Sequence, residues 1–253
     1  KAMSQLMYRR ILLKLSGEAL AAGDEQYSHR RLTGIAQAVG QVVQRGVQVG
    51  IVLGAGNIFR ARSANLQVVN RVTADNVGML GTIMNAAIMR DYLRGEGLKA
   101  KILTPRTQQP LSRAFVREDA LSLFQSGHVL LFAGGTGNPY FTTDSAAALR
   151  ALEIGADVLV KGTQVDGVYD KDPHKHDDAK RYEKLTYDEV VDQRLQVMDL
   201  TAVTLCAEQG LPPDDALAAN RTRELRNGFS VSLGRQLERC HVPPSRQTAA
   251  HGV

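Results

Sequence analysis

The sequence predicts an α/β protein with a central, mainly parallel sheet that helices cover on both faces. Short apolar runs alternate with segments whose apolar residues recur at helical spacing along most of the chain. The apolar runs are mostly uncharged within, as is typical of strands buried on both faces. Glycine-rich or lysine-containing corners follow several of these runs, and the carboxyl ends of parallel strands are where such sheets bind ligands.

Length and composition limit the class of protein. The chain has 253 residues, 43% of them hydrophobic, which is enough for one large α/β domain or two small ones. The formal net charge of +5 is compatible with anionic ligands, but the basic residues are scattered and no aromatic stripe accompanies them, so we expect no nucleic-acid partner. Two cysteines fit neither a disulfide framework nor a metal knuckle. No apolar run reaches the roughly 20 residues of a membrane helix, and we expect a cytoplasmic protein.

The first half of the chain contains two predicted strands and two predicted helices. The run RILLKL, residues 10–15, reads as a strand, and apolar residues over 32–43 then repeat at helical spacing. A second strand, residues 47–53, leads into the corner GAGN. A long helix is predicted over about 72–93, and one of its faces carries five apolar residues, Val77, Leu80, Met84, Ala87 and Ile88.

Three further strands are predicted at residues 100–103, 128–133 and 157–161, separated by helical segments. The third of these runs is followed by a polar, charged stretch that reads as a hairpin-like excursion. Thr186, with Glu189 three residues later, then has the pattern of a capping box and predicts a further helix.

Four corners at strand ends collect the candidate ligand-binding residues. In the first, Lys14 lies inside an apolar strand; a buried cation is costly unless an anion meets it, so the residue either binds phosphate or lies on an edge strand and faces water. The second, GAGNIFR at 54–60, begins like a dinucleotide fingerprint but lacks its third glycine. The third, 133–150, runs from glycines into an alanine-rich helix and contains no Walker lysine. The fourth, KGTQVDGVY at 161–169, also fits a plain hairpin turn.

Several segments, in this order, resemble the bacterial uridylate (UMP) kinases of the amino acid kinase superfamily. They are LLKLSGEAL, GAGNIFR, MNAAIMRD, GTGNPYFTTDSAA, KGTQVDGVY and LQVMDL. The resemblance implies a three-layer α/β/α sandwich, amino acid kinase-like, that transfers a phosphoryl group from Mg-ATP to UMP in pyrimidine nucleotide biosynthesis. It also implies Mg²⁺ carried by the ATP phosphates, a homohexamer, and GTP and UTP as effectors.

Site residues follow from the same resemblance. Those that match the family's contacts to ATP are Lys14, Leu15, Ser16, Gly17, Gly56, Arg60, Thr163, Tyr169 and Asp172. Those that match its contacts to UMP are Ala55, Asp75, Thr136, Gly137, Asn138, Pro139, Tyr140, Phe141, Thr142 and Thr143. Ala55 departs from the family's usual glycine, and the added methyl group is tolerable only where φ is negative and no ligand touches it.

The chemistry of this reaction needs charge rather than a general base. A nucleoside monophosphate has a second phosphate pKa of about 6, so the attacking oxygen is already ionised at neutral pH. The protein must hold two polyanions in line and neutralise the transferred group. Lys14 is the first candidate for that task and Lys161 the second. Asp144 either orients these lysines or is a simple helix N-cap.

Two other functions are compatible with these motifs. One alternative is an amino acid kinase that acts on a carboxylate such as acetylglutamate, and another is a non-catalytic nucleotide-binding module of the same fold. The charged loop HKHDD at 174–178 is interpreted as hydrated, and no metal site on protein ligands is expected. We predict a kinase domain over 8–211 and a divergent tail over 212–253, which is either disordered or replaces the last strand and helix of the family.

Overall fold

The computed structural model describes residues 8–59, 68–162, 169–171, 175–180, 182, 187–192 and 198–211. The predicted strands are confirmed, with bounds within one or two residues of those expected. In chain order the strands are β1 (Arg10–Leu15), β2 (Gln48–Leu53), β3 (Lys99–Thr104), β4 (Arg113–Ala114), β5 (His128–Phe132) and β6 (Val158–Gly162). The two-residue strand β4 was not predicted, because its sequence has no apolar run.

Helices alternate with these strands, as the sequence predicted. They are α1 (His29–Gln44), α2 (Arg71–Gly95), α3 (Arg117–Gln125), α4 (Thr143–Glu153), α5 (Tyr187–Asp192) and α6 (Leu200–Glu208). A single 3₁₀ turn, Gly17–Leu20, follows β1 directly. In the described segments no helix combines the length and apolar character needed to cross a membrane.

The strands form one six-stranded sheet in the order β4-β3-β5-β2-β1-β6, and every neighbouring pair is parallel. The prediction of a mainly parallel sheet is therefore confirmed. Strand β1 lies inside this sheet, with β2 on one side and β6 on the other. The alternative reading of Lys14, as a residue on a water-facing edge strand, is wrong.

Helices cover both faces of the sheet, which confirms the three-layer α/β/α sandwich. Alternate residues of β1 divide the core: Ile11 and Leu13 point into the layer formed by α1 and α2. Leu12 points into the opposite layer, where buried residues of α3, α4 and α6 pack. Since side chains alternate along a strand, Lys14 lies on the same face as Leu12, beneath α4.

Helix α2 has the predicted extent, but only part of its predicted apolar face packs on the core: Ala87 and Ile88 contact it, and the other three residues do not. Val77, Leu80 and Met84 are exposed, with Leu80 at 54% and Met84 at 52%. The buried residues of α2 are small or polar ones together with three large apolar ones: Ala74, Gly81, Thr82, Ile83, Asn85, Ala86, Met89 and Leu93. The described chain therefore leaves an apolar stripe of α2 uncovered.

Close packing of α2 against the corner after β2 depends on Gly81. A Cβ atom on Gly81 would lie 2.9 Å from the Cβ of Ala55, closer than two carbon atoms can pack. We expect Gly81→Ala to lower the free energy of unfolding by about 1–3 kcal/mol, because one element must move. In the matched control Gly34→Ala, on α1, the new Cβ meets nothing within 4 Å, so thermal unfolding should show a gain of about 0.5–1 kcal/mol. Equal shifts in the two variants would contradict this close approach.

The excursion after β6 is described in part. Asp170 donates its backbone N–H to the carbonyl of Lys180 (3.0 Å), and Lys180 returns a backbone N–H to the Asp170 carboxylate (2.8 Å). The two sides of the segment therefore lie next to each other. The predicted capping residue Thr186, the loop at 174–178 in part, and the tail over 212–253 lie outside the described residues.

Candidate active site

Two lysines and one aspartate form an ion-pair cluster at the carboxyl ends of β1 and β6. Lys14 and Lys161 are register partners on these adjacent strands and occupy the same face of the sheet. Asp144, in the first turn of α4, lies between them: its Oδ1 is 2.7 Å from Lys14 Nζ and its Oδ2 is 2.9 Å from Lys161 Nζ. Like charges directly opposite each other on a sheet destabilise it, so the carboxylate is what allows the two ammonium groups to coexist.

Burial and charge act in opposite directions on this cluster. Burial of Asp144 favours its neutral form, but Lys14 and Lys161 outweigh that effect and hold the pKa of the carboxyl below its ordinary value. Burial lowers the pKa of Lys161, and the nearby charge of Lys14 lowers it further, while Asp144 opposes both. With two ammonium groups and one carboxylate, the cluster carries a net positive charge that an anion can neutralise.

Asp144 does not cap its helix. The N-cap of α4 is Thr142, whose hydroxyl oxygen accepts the backbone N–H groups of Asp144 (3.0 Å) and Ser145 (3.3 Å). The alternative reading of Asp144 as a simple N-cap is therefore wrong. Its carboxylate instead contacts Lys14 and Lys161. The positive end of the α4 dipole also stabilises this carboxylate.

The corners after β1 and β2 touch through their glycines. A Cβ atom on Gly17 would lie 2.6 Å from the backbone nitrogen of Gly56, and one on Gly56 would lie 2.7 Å from Cδ of Glu18. Side chains at either position would separate the two loops. The Glu18 carboxyl group also lies close to Gly56.

A buried asparagine holds the second corner in place. Asn85 of α2 is 0% exposed and donates its side-chain amide to the carbonyl of Gly54 (2.6 Å) and to Oδ1 of Asn57 (2.8 Å). Asn57 donates in turn to the carbonyl of Gln26 (3.0 Å). Because each of these groups has a partner, the loop has a fixed backbone path. Sequence reasoning missed Asn85, although it stands in the MNAAIMRD segment.

The substituted position in this corner is accommodated. Ala55 is buried, and among the described residues Tyr140 is the sole non-glycine residue with positive φ. The backbone at Ala55 therefore satisfies the first condition set by the sequence, a negative φ. Its methyl group packs toward Gly81 on α2, where the absence of a side chain provides the space.

The loop after β5 needs glycine at three positions. Gly134, Gly135 and Gly137 have φ values of 78°, 57° and 80°, in the left-handed region that favours glycine. The backbone N–H of Gly134 donates to the hydroxyl of Thr82 on α2 (2.7 Å), so the start of the loop is tied to that helix. The glycines of the AGGTG run at 133–137 are thus required by the backbone of the loop itself.

Asp75 joins the far part of this loop to α2. Tyr140 has a φ of 73° and donates its backbone N–H to Oδ2 of Asp75 at 2.7 Å. Arg71 donates to both oxygens of the same carboxylate at 2.8 Å, and its guanidinium lies 5.6 Å from the centre of the Tyr140 ring. Backbone strain of this kind persists only where surrounding contacts enforce it, and it concentrates at functional sites.

The structure brings most of the sequence-predicted site residues to one edge of the sheet. Leu15 ends β1, Ser16 precedes the 3₁₀ turn that Gly17 begins, and Ala55 and Gly56 follow β2. The loop from Thr136 to Thr143, including Asn138, Pro139 and the half-exposed Phe141, follows β5, and Tyr140 is 66% exposed. Tyr169 is half-buried. Arg60, Thr163 and Asp172 lie outside the described residues.

The fold and this site define a class of protein. Buried cations and glycine loops gather at the carboxyl edge of a parallel sheet, as in enzymes that handle phosphate groups. A sequence profile described as "Amino acid kinase family" matches residues 9–212. The chain belongs to the amino acid kinase family, and within it to the uridylate kinases.

Relatives and solved structures carry that assignment. The chain is 50% identical over 211 residues to a uridylate kinase of Xanthomonas campestris pv. campestris, covering 83% of this chain and 88% of the relative. It is 45% identical over 235 residues to a uridylate kinase of Legionella pneumophila (strain Paris), covering 91% and 95%. The crystal structure of UMP kinase from Bacillus anthracis matches with a TM-score of 0.78 and 37% identity, covering 82% of this chain and 86% of that one. UMP kinase from Ureaplasma parvum matches with a TM-score of 0.77 and 34% identity, covering 81% and 88%.

Proposed function

We propose that this protein transfers the terminal phosphoryl group of Mg-ATP to UMP and releases UDP and ADP. The observation that carries the proposal is the buried cluster of Lys14, Asp144 and Lys161, which lies at the carboxyl ends of β1 and β6 and the first turn of α4. Its net positive charge suits a phosphoryl group in transit between two nucleotides. The relatives named uridylate kinase give the acceptor.

Each nucleotide has a proposed place along this edge. The ATP phosphates would lie over the cradle formed by Gly17 and Gly56, beside Lys14, where backbone groups and a cation are close together. UMP would lie against Asp75 and the loop that contains Tyr140, whose exposed ring and polar neighbours leave room for a base and a ribose. The two phosphate groups would then meet at the lysine cluster.

The proposed mechanism uses no general base. The UMP phosphate is mostly dianionic at neutral pH, so its oxygen can attack the terminal phosphorus directly. Lys14 would neutralise the charge that spreads over the transferred group, and Lys161 would assist from the adjacent strand. Asp144 would keep both ammonium groups at the positions where that charge develops, which avoids reorganisation during the reaction.

Mg²⁺ belongs to the proposal as a companion of ATP. Within the described part of the chain no three His, Cys, Asp or Glu side chains are grouped closely enough to hold a metal ion. Mg²⁺ prefers phosphate oxygens and water to a cage of protein ligands, so we assign it to the ATP phosphates.

The proposal is tested by measuring ADP formation with several acceptors. UMP should support turnover, whereas CMP and AMP should be much poorer acceptors, because the pocket must match one N–H donor and two carbonyl acceptors of uracil. Equal turnover with CMP would contradict the UMP pocket. Turnover with acetylglutamate and none with UMP would favour the carboxylate kinase, an alternative that the named relatives do not favour. Binding of both nucleotides without turnover would indicate a non-catalytic module.

The proposal also covers the extent of the catalytic domain and the role of the protein in the cell. We assign catalysis to residues 8–211, which the family match over 9–212 supports. From the resemblance we also expect a role in pyrimidine nucleotide biosynthesis, a cytoplasmic location, and GTP and UTP as effectors.

We also propose a homohexamer. The exposed apolar stripe of Val77, Leu80 and Met84 on α2 supports self-association, because such a stripe is costly in water.

Charges placed on this stripe should reduce the oligomeric state. We expect the double variant Leu80→Glu and Met84→Glu to shift the molar mass in solution toward the monomer, since each carboxylate would have to be desolvated in an apolar contact. Light scattering after size-exclusion chromatography measures the mass directly. The control Gln41→Glu, an exposed position on α1, should leave the mass unchanged. An unaltered mass in the double variant would exclude this stripe as the contact.

A further inference from the structure

We propose that Asp199 is a positioning residue for phosphoryl transfer, which fixes the N-terminus of α4 and thereby holds Asp144 between the two lysines. The inference rests on the proposed function and adds to that site a residue from a different helix. Asp199 belongs to the LQVMDL segment, for which no functional role was predicted.

One carboxylate ties the starts of two helices together. Asp199 is the N-cap of α6, where its Oδ1 accepts the backbone N–H of Ala202 at 3.0 Å. The same carboxylate accepts the hydroxyl of Ser145 at 2.9 and 3.0 Å, and it also accepts the hydroxyl of Thr142. Thr142 and Ser145 flank Asp144 in the chain, so the backbone on both sides of Asp144 is anchored to Asp199.

The direction of these hydrogen bonds matters for the cap of α4. A threonine hydroxyl has one proton, and Thr142 donates it to Asp199. The lone pairs of Thr142 Oγ1 are therefore left to accept the backbone N–H groups of Asp144 and Ser145. Asp199 thus fixes the Thr142 hydroxyl as the acceptor of the N–H groups at the start of α4. That cap in turn fixes the backbone position from which the Asp144 side chain extends to Lys14 and Lys161.

A residue that only caps a helix needs fewer hydrogen bonds than Asp199 makes. Asn70, the N-cap of α2, satisfies one N–H group of its own helix, that of Thr73, at 2.9 Å. A neutral amide is sufficient there. Asp199 satisfies its own helix and in addition accepts two hydroxyl groups from the helix that carries Asp144. The second set of bonds indicates a role at the cluster and not only at α6.

The charge of Asp199 also reaches the cluster. The charged groups that act on Lys161 include Asp144 from α4, Lys14 from β1 and Asp199 from the start of α6. Asp199 raises the pKa of Lys161, against the lowering caused by burial and by Lys14. Loss of this charge should therefore allow Lys161 to lose its proton at a lower pH, and a purely structural cap would have no such effect.

Two substitutions at Asp199 separate position from charge. Asp199→Asn keeps an oxygen that can accept from the two hydroxyls but removes the charge, whereas Asp199→Ala removes both. We expect Asp199→Ala to lower kcat by up to about 10²-fold with a smaller change in the KM for UMP. Asp199→Asn should retain more of kcat, and the alkaline limb of its pH–rate profile should move to lower pH.

Titration of Lys161 in the ligand-free protein gives a readout that does not depend on turnover. The Nζ resonance of Lys161, identified by its loss in Lys161→Arg, should titrate at a lower pH in Asp199→Asn than in the unaltered protein. The control Val203→Ala loosens the buried side of α6 without touching the carboxylate, and it should shift neither this titration nor the pH–rate profile.

The outcomes distinguish the inference from the proposed function. An unchanged kcat in Asp199→Ala, or an unchanged titration of Lys161 in Asp199→Asn, would overturn the role of Asp199 even in a fully active enzyme. Equal losses of kcat in Asp199→Ala and Val203→Ala, without a pH shift, would reduce Asp199 to a structural cap and would also overturn it. Failure of the unaltered protein to phosphorylate UMP would instead overturn the proposed function.

Discussion

Replacing Lys14 by alanine should lower kcat for UMP phosphorylation by about 10²- to 10³-fold, the effect of removing one preorganised charge from a transition state. Lys14 is 8% exposed on an internal strand, and its ammonium group lies 2.7 Å from Asp144. Because the charge would act mainly on the phosphoryl group in transit, the KM for UMP should change less than kcat. Steady-state kinetics on the unaltered and variant enzymes measure both quantities.

The fold should survive the loss of Lys14. Asp144 retains Lys161 at 2.9 Å, so the remaining pair is electrically balanced. A second variant, Lys14→Met, keeps the apolar stem of the side chain and removes only the charge. The control Lys101→Ala removes an exposed lysine from β3 and should leave kcat unaltered. Near-normal kcat in both Lys14 variants, with normal far-ultraviolet circular dichroism, would remove Lys14 from the mechanism.

The second large effect is expected for Asp144→Asn, which leaves two ammonium groups opposite each other without a carboxylate between them. Breaking a buried ion pair by removing one partner costs about 3–5 kcal/mol of stability, and the lysines should also move apart. We expect kcat to fall by about 10²-fold, since misplacement of a charged group by 1 Å can cost that much. Chemical denaturation and steady-state kinetics test the two parts.

The stability loss in Asp144→Asn should depend on pH in a defined direction. The lowered pKa of Asp144 means that its ionised form stabilises the fold above the ordinary carboxyl pKa, and that this contribution is lost as the pH falls through the lowered value. The difference in stability between the two proteins should therefore shrink in acid. The control Asp157→Asn removes a carboxylate that accepts the backbone N–H groups of Arg9 and Arg10, away from the cluster. A constant difference across the acid range for Asp144→Asn would contradict the ion-pair account.

Much of the fold follows from local sequence. Runs such as RILLKL are strands because they are apolar, short and followed by glycine, and the structure reproduces that strand at Arg10–Leu15. The two-residue strand β4 could not be predicted, since pairing with β3 alone defines it. The apolar face of α2 was found, but periodicity does not tell which partner covers a face. Here Ile83, Met89 and Leu93 are buried, whereas Val77, Leu80 and Met84 are exposed.

Less of the site than of the fold could be predicted from the sequence. Sequence reasoning named Lys14 and Lys161 and offered Asp144 as a residue that either orients them or caps its helix, but the cluster depends on the register of two strands that are distant in the chain. Asn85 and Thr82 were missed because a buried polar residue in a helix gives no signal until its partners, the loops after β2 and β5, are in place. Asp199 did carry a local signal, an aspartate before a helical run, but its contacts with Thr142 and Ser145 are again non-local.

A crystal structure with UMP and a non-hydrolysable ATP analogue tests the central claim most directly. The account predicts that the terminal phosphate of the analogue lies within hydrogen-bonding distance of Lys14 and Lys161, over the cradle of Gly17 and Gly56, with the UMP phosphate facing it from the loop after β5. Nucleotides bound elsewhere on the protein, with this edge of the sheet free of phosphate, would contradict it.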